Sequence, residues 1–187
     1  MKKKYYSLII SIIVIALGII QSSGAISHTK TKNTAAVKDI AQIEISTSTL
    51  YQITKVTDGD TIHVKVNNEE ITVRMKGVDT PETVDPRKTV QCFGKEASNK
   101  TKELLTGRMV NLVPDKGDAS LFDKYGRVLA YIYRDDGLFV NEYLVKEGYA
   151  HEYTYDKPYE MQKAFKKLEK QAREEKKGLW GLLCSQK

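Results

Sequence analysis

The chain has 187 residues, 41% of them hydrophobic and 29% charged, the ordinary range for one folded soluble domain. The formal net charge is +6, but six of the 30 basic and two of the 24 acidic residues lie within positions 1–48, so residues 49–187 carry 24 positive against 22 negative charges, a net +2. Bulk charge therefore excludes a partner selected by net attraction alone; affinity for a polyanion has to come from local placement of charge or from a bound cation.

Lys2, Lys3 and Lys4 precede the 13-residue run LIISIIVIALGII at positions 8–20, and Ser23 and Ala25 then supply small residues where a signal peptidase reads. This pattern predicts a secretory signal peptide over 1–25. A spanning helix takes about 20 apolar residues, so removal is expected rather than retention as an anchor, with only a transient membrane encounter. Residues 26–48 are rich in Thr, Ser, Lys and Ala and lack Phe, Tyr and Trp, as in a mobile propeptide or linker. The folded domain is expected over 49–187.

Period-two alternation then begins with YQITKVT, TIHVKV and EITVRMK, separated by DGD and by Asn67-Asn68. Three antiparallel strands in a meander are expected, with the two asparagines in a tight hairpin that needs positive φ. Phe93, Ala97, Thr101, Leu104 and Leu105 mark one face of a first helix, with Gly107 past its end. The segments MVNLVP and RVLAYIY read as two further strands around a polar loop, and Val140, Leu144 and Val145 as a second helix. Met161, Phe165, Leu168 and Ala172 mark a third, opened by Pro158 and closed by Gly178. Five strands and three α-helices in this order suit an α+β domain on a small closed barrel, because a short meander has to hide its edges.

Several polar residues exceed what this architecture needs. Asp58 and Asp60 flank Gly59 in the first hairpin, where turn chemistry accounts for them singly. An EF-hand loop starting at Asp58 would put Glu69 at its twelfth position, but Ile62 and His63 then occupy positions that need a ligand and a glycine. Arg74 shares a parity with Thr72 and Lys76, away from the core face of Ile71, Val73 and Met75. Asp79 and Glu82 follow around Thr80-Pro81, and DKYGR at 123–127 supplies Arg127 after a turn glycine. Carboxylates without paired His or Cys suit calcium or magnesium rather than zinc. Arginine forks match phosphate oxygens. The combination points to phosphodiester hydrolysis, with Glu82 taking or orienting the proton of the attacking water.

Over residues 50 to about 181 the chain resembles the staphylococcal nuclease family, through DGDT, an arginine followed by VDTPE, FGKEAS, DKYGR with LAYIY, VNEYLVKEGYA and Trp180. The resemblance implies an OB-fold barrel with three helices, secreted by bacteria. It also implies calcium-dependent hydrolysis of DNA and RNA that leaves 3′-phosphate ends. By motif, Asp60, Asp79 and the Thr80 carbonyl resemble calcium ligands, Glu82 the base or water-positioning group, and Arg74 and Arg127 the phosphate clamps. Lys124 and Tyr125 would contact a terminal phosphate, and Tyr153 and Tyr155 would line the nucleotide pocket, where stacking tolerates any base.

Cys92 and Cys184 depart from the best-known member, and in an exported protein two cysteines favour a disulfide. A monomer without a stable protein partner is expected, secreted or retained at the cell surface. The rival reading is a non-catalytic OB-fold module that binds nucleic acid, which would have no reason to keep Asp60, Arg74, Asp79, Glu82 and Arg127 together.

Overall fold

The computed structural model describes residues 44–83 and 91–185, all within one compact unit, Ile40–Lys187. The expected signal peptide over 1–25 and residues 26–43 of the expected linker lie outside the described residues. Strands β1 (Leu50–Val56), β2 (Thr61–Val66) and β3 (Glu69–Met75) form the meander, followed by a two-residue strand β4 (Val78–Asp79). Then come α1 (Gly94–Leu105), β5 (Met109–Val113), β6 (Val128–Arg134), α2 (Val140–Lys146), β7 (His151–Glu152) and α3 (Gln162–Glu174). A 3-10 turn (Gly178–Trp180) and a short α4 (Leu182–Ser185) end the described chain.

Five strands close into a barrel in the order β1-β2-β3-β6-β5, the five-stranded OB-type α+β arrangement. Asn67 and Asn68 adopt φ of 48° and 70°, as the β2–β3 hairpin requires. Closure needs a strand with two partners: β1 pairs with β5 through Leu50, Tyr51 and Gln52, and with β2 from Gln52 to Val56. A register shift between Ile53 and Lys55 is the kind of bulge that bends a strand enough to do this. β3 meets β6 in parallel, the other barrel pairs being antiparallel.

Alternation sends Ile62, Val64, Val73, Val110, Leu112, Val128, Ala130 and Ile132 into the barrel, all fully buried. β6 is covered on its second face as well: Tyr131, 2% exposed, meets Phe139 edge-on at 5.9 Å, and α2 and α3 pack outside it around Val140, Leu144 and Phe165. Truncating Phe165 to Ala would remove about 3–5 kcal/mol of stability.

Buried Asn141 ties these layers together. Its Oδ1 accepts from the Ile132 amide at 2.8 Å and its Nδ2 donates to the Lys76 carbonyl at 2.9 Å, which fixes the end of β3.

Two boundaries differ from expectation. Phe93 precedes α1 with φ 68°, and its ring packs on Tyr149 at 5.5 Å instead of joining the helix face. α3 ends at Glu174, with Lys176 just beyond it at φ 54°, while Gly178 serves a close crossing. Its amide neighbour Leu179 donates to the Gly148 carbonyl at 2.9 Å, and a Cβ on Gly178 would lie 2.1 Å from that oxygen.

Candidate active site

A cleft of about 870 Å3 opens where the β1–β2 hairpin, the end of β3, the 117–127 loop and the 153–159 segment meet. All ten positions singled out by motif line it: Asp60, Arg74, Asp79, Thr80, Glu82, Lys124, Tyr125, Arg127, Tyr153 and Tyr155.

The acidic wall is built by three elements. Helix α1 holds the DGD turn, because buried Thr101 donates its hydroxyl to the Gly59 carbonyl at 2.6 Å. Gly59 is obligatory on its other side, since a Cβ there would fall 2.7 Å from the Thr80 side chain. Asp60, 5% exposed, accepts at Oδ2 from the Thr80 amide at 2.8 Å and hydroxyl at 3.0 Å. Its Oδ1 accepts from Thr61 at 3.0 Å.

Arg74 is fixed at both ends of its fork. Nη1 donates to the carbonyls of Met75 and Val78 at 2.9 and 2.6 Å. Nη2 lies 2.8 Å from Asp79 and 3.1 Å from Asp60. The parallel register opposes Arg74 to Leu129; Arg127, two residues earlier on that strand's path, keeps the same parity and reaches the same cleft. Its Nε and Nη2 both stand 2.7 Å from Asp123, whose other oxygen accepts from the Tyr125 and Arg127 amides.

The aromatic side is open. Tyr125 and Tyr155 are 71% and 68% exposed, Lys124 lies over both rings at 5.1 and 5.5 Å, and Tyr153 and Tyr155 stand 6.3 Å apart. Rings this exposed are not core packing.

Burial raises the carboxyl of Asp58 above its ordinary range, and the nearby charges of Asp60 and Glu82 push it further, against hydrogen bonds from Gly59 and Thr83. Burial likewise raises Asp79, with Arg74 opposing and Asp60 and Glu82 adding to it. Four carboxylates thus repel one another across one wall, a strain that a cation relieves. Among the described residues no three acidic, His or Cys side chains form a ready-made metal cluster. The set that fits is two carboxylates, Asp60 and Asp79, with backbone oxygen, which are donors for a hard ion.

Asp58 is noticed in the sequence without a role at the site, and two further residues, His151 and Gln91, are not legible there. Asp58, which turn chemistry alone would explain, is 8% exposed and lines the cleft. His151 lies directly across the β4–β7 ladder from Asp79, although 72 positions separate them in the chain. Gln91 brackets Glu82, accepting its amide at Oε1 at 2.8 Å and donating its own amide to the Glu82 carbonyl at 3.0 Å. For Asp58 the DGD repeat is a signal; for the other two only the fold brings the partners together.

An OB-type barrel with carboxylates and arginines facing one cleft defines a class, the phosphodiester hydrolases of nuclease type. Residues 72–181 match the family described as "Staphylococcal nuclease homologue", and the chain belongs to that family. Over 130 residues, 70% of this chain and 75% of the relative, it is 45% identical to the thermonuclease of Staphylococcus hyicus. It is 45% identical over 127 residues to the SPbeta prophage-derived endonuclease YokF of Bacillus subtilis (strain 168), covering 67% of this chain and 42% of that one. Endonuclease YncB of the same organism is 44% identical over 124 residues, 66% of this chain and 57% of the relative. The match therefore spans about half the length of the two Bacillus proteins.

Proposed function

We propose that this chain is an exported, calcium-dependent nuclease that hydrolyses DNA and RNA with little sequence preference and leaves 3′-phosphate ends. Nuclease chemistry follows from the family; the observation that supports the finer reading is the single cleft shared by the carboxylates, both arginines and the exposed tyrosines.

Asp60, Asp79 and the Thr80 carbonyl would hold calcium. When bound, it supplies positive charge beside the scissile phosphate and its attacking water. Glu82 takes or orients the water's proton, with the Thr83 amide donating to one carboxylate oxygen at 2.9 Å and Gln91 steadying its backbone. Water's oxygen bonds to phosphorus, the bond to the 5′ oxygen breaks, and that oxygen takes a proton from solvent water as the 5′-hydroxyl end departs. Arg74 and Arg127 turn their forks from Asp79 and Asp123 to the phosphate oxygens as negative charge grows there. Tyr125, Tyr153 and Tyr155 offer ring faces that do not read base edges, and Lys124 neutralises a terminal phosphate.

The test is cleavage of plasmid and of RNA by protein beginning after the signal segment. Millimolar calcium is expected to support it, in line with extracellular sites of about 0.1–1 mM affinity, and magnesium only poorly. The products should become extendable by polymerase only after phosphatase treatment. Full activity in chelator overturns the calcium assignment, and directly extendable ends overturn the assigned bond. Recovery of the protein only inside cells would overturn export.

A further inference from the structure

A second, smaller cavity of about 180 Å3 lies beside the cleft, lined by Thr57, Thr83, Lys95, Ser98, Asn99 and Lys102. Among the described residues every lining side chain is polar, two are cations and none is acidic. The volume corresponds to about six waters at ~30 Å3 each, enough for a phosphate group and part of its hydration.

Lys95, Ser98 and Lys102 fall at i, i+3 and i+7 on α1, one face of the helix. Both lysines are exposed, and neither ammonium has an ion-pair or hydrogen-bond partner among the described residues. Lys100, on a different face of the same helix, is by contrast paired with Glu103 at 2.6 Å. Ser98 is only 5% exposed, yet its hydroxyl on the cavity wall has no hydrogen-bond partner among the described residues. A helical serine can bond a preceding carbonyl; the Ser98 hydroxyl instead faces the water that fills the cavity and can donate to an entering phosphate oxygen.

The cavity adjoins the acidic end of the cleft. Thr57 lines both spaces, and Thr83 follows Glu82 and donates to Asp58 at 3.0 Å. With calcium on Asp60 and Asp79, a polyanion leaving the scissile position on this side still meets Asp58 and Glu82, which repel it. A strand needs a positive landing point immediately beyond them.

From this we infer that the Lys95–Ser98–Lys102 pocket binds a backbone phosphate of the substrate strand next to the one being cleaved, extending the cleft around the acidic wall. The inference rests on the nuclease reading, and it assigns the pocket to a phosphodiester of single-stranded DNA or RNA rather than to a free anion.

The experiment measures equilibrium binding of a fluorescent single strand of about a dozen nucleotides, within the span of an OB-fold site, in a Glu82→Gln background with calcium present. Lys95→Gln/Lys102→Gln is expected to weaken binding about tenfold at low salt and to lower the slope of log K against log salt by about 0.7 for each phosphate that is no longer neutralised. Ser98→Ala, which a helix accepts without penalty, should weaken binding in the same direction by a smaller factor. With Glu82 intact, both variants should cleave a dinucleotide at the parent rate and a long strand with raised KM and unchanged kcat. Unchanged affinity and salt slope overturn the inference while leaving the nuclease reading intact. Weakening confined to inorganic phosphate, with the strand bound as before, overturns it in favour of a free-anion site. A parent protein that neither binds nor cleaves nucleic acid overturns both.

Discussion

Cys92 and Cys184 are joined, with Cα atoms 5.7 Å apart and a sequence separation of 92. Replacing both by Ser releases that closure. In the chain-entropy model a loop of this length stabilises the folded state by about 4–5 kcal/mol. For a domain of this size each kcal/mol moves the melting midpoint by roughly 2–4 °C, so a fall of about 10–15 °C is expected. The structure shows what comes loose first. α4 spans four residues, too few to persist unaided, and Trp180 sits between Arg173, 3.8 Å over its ring, and His151, edge-on at 4.8 Å. The carboxyl-terminal turn should therefore fray before the barrel opens. Thermal unfolding followed by circular dichroism, with limited proteolysis below the midpoint, reads both effects. Activity well below the midpoint should stay within about twofold of the parent, because Gln91 grips Glu82 through its own two hydrogen bonds. A double-Ser variant that melts within about 2 °C of the parent would refute the loop-closure reasoning, and a large drop in kcat in a fully folded variant would show that the disulfide steadies Glu82 after all.

Arg74→Lys and Arg127→Lys should each lower kcat by about a hundredfold or more, since a point charge cannot reproduce a two-pronged grip on a phosphate in the transition state; steady-state rates on single-stranded DNA check this, and parent-like kcat would return both to surface roles. Asp115→Asn should cost about 2–3 kcal/mol at neutral pH by urea unfolding, because the buried carboxylate accepts from the Tyr131 hydroxyl and from the Gly117 and Glu160 amides and these are charge-assisted bonds. Burial works against that charge, but the hydrogen bonds and Lys76 outweigh it and hold Asp115 below the ordinary carboxylate range. A lowered folded pKa contributes stability above the unfolded value of about 3.9. That contribution disappears as pH falls from there through the folded value, so parent and variant should converge in stability below about pH 4.

The barrel is legible in the sequence because its strands alternate cleanly and its tightest turn is written as Asn67-Asn68. β4 and β7 are not, since two residues carry no period; they exist because Gly77, at φ 77°, turns the chain so that its carbonyl accepts from the Tyr153 amide at 3.0 Å. α4 is hidden for a similar reason, as its placement comes from a covalent tie rather than from an apolar stripe. In the cleft, residues with unusual local grammar announce themselves: DGD, DTPE and DKYGR. Gln91 and Ser98 look ordinary in sequence, and their interest comes from what lies across from them. His151 gives no signal in the chain, having no second histidine beside it; its neighbour across β4–β7 is a carboxylate, which only the fold supplies.

The parallel seam between β3 and β6 has a consequence for the order of events in synthesis. β1 cannot find its β5 edge until the chain through Val113 is available, nor Val73 find Val128 until β6 is, and Ile132 then still awaits Asn141. An amino-terminal fragment ending before β5 has a meander with two raw edges and no floor. Non-local pairings of this kind close slowly. The incomplete chain therefore cannot close its barrel, and the cleft is assembled only once β6 and the segment through Tyr159 have been made.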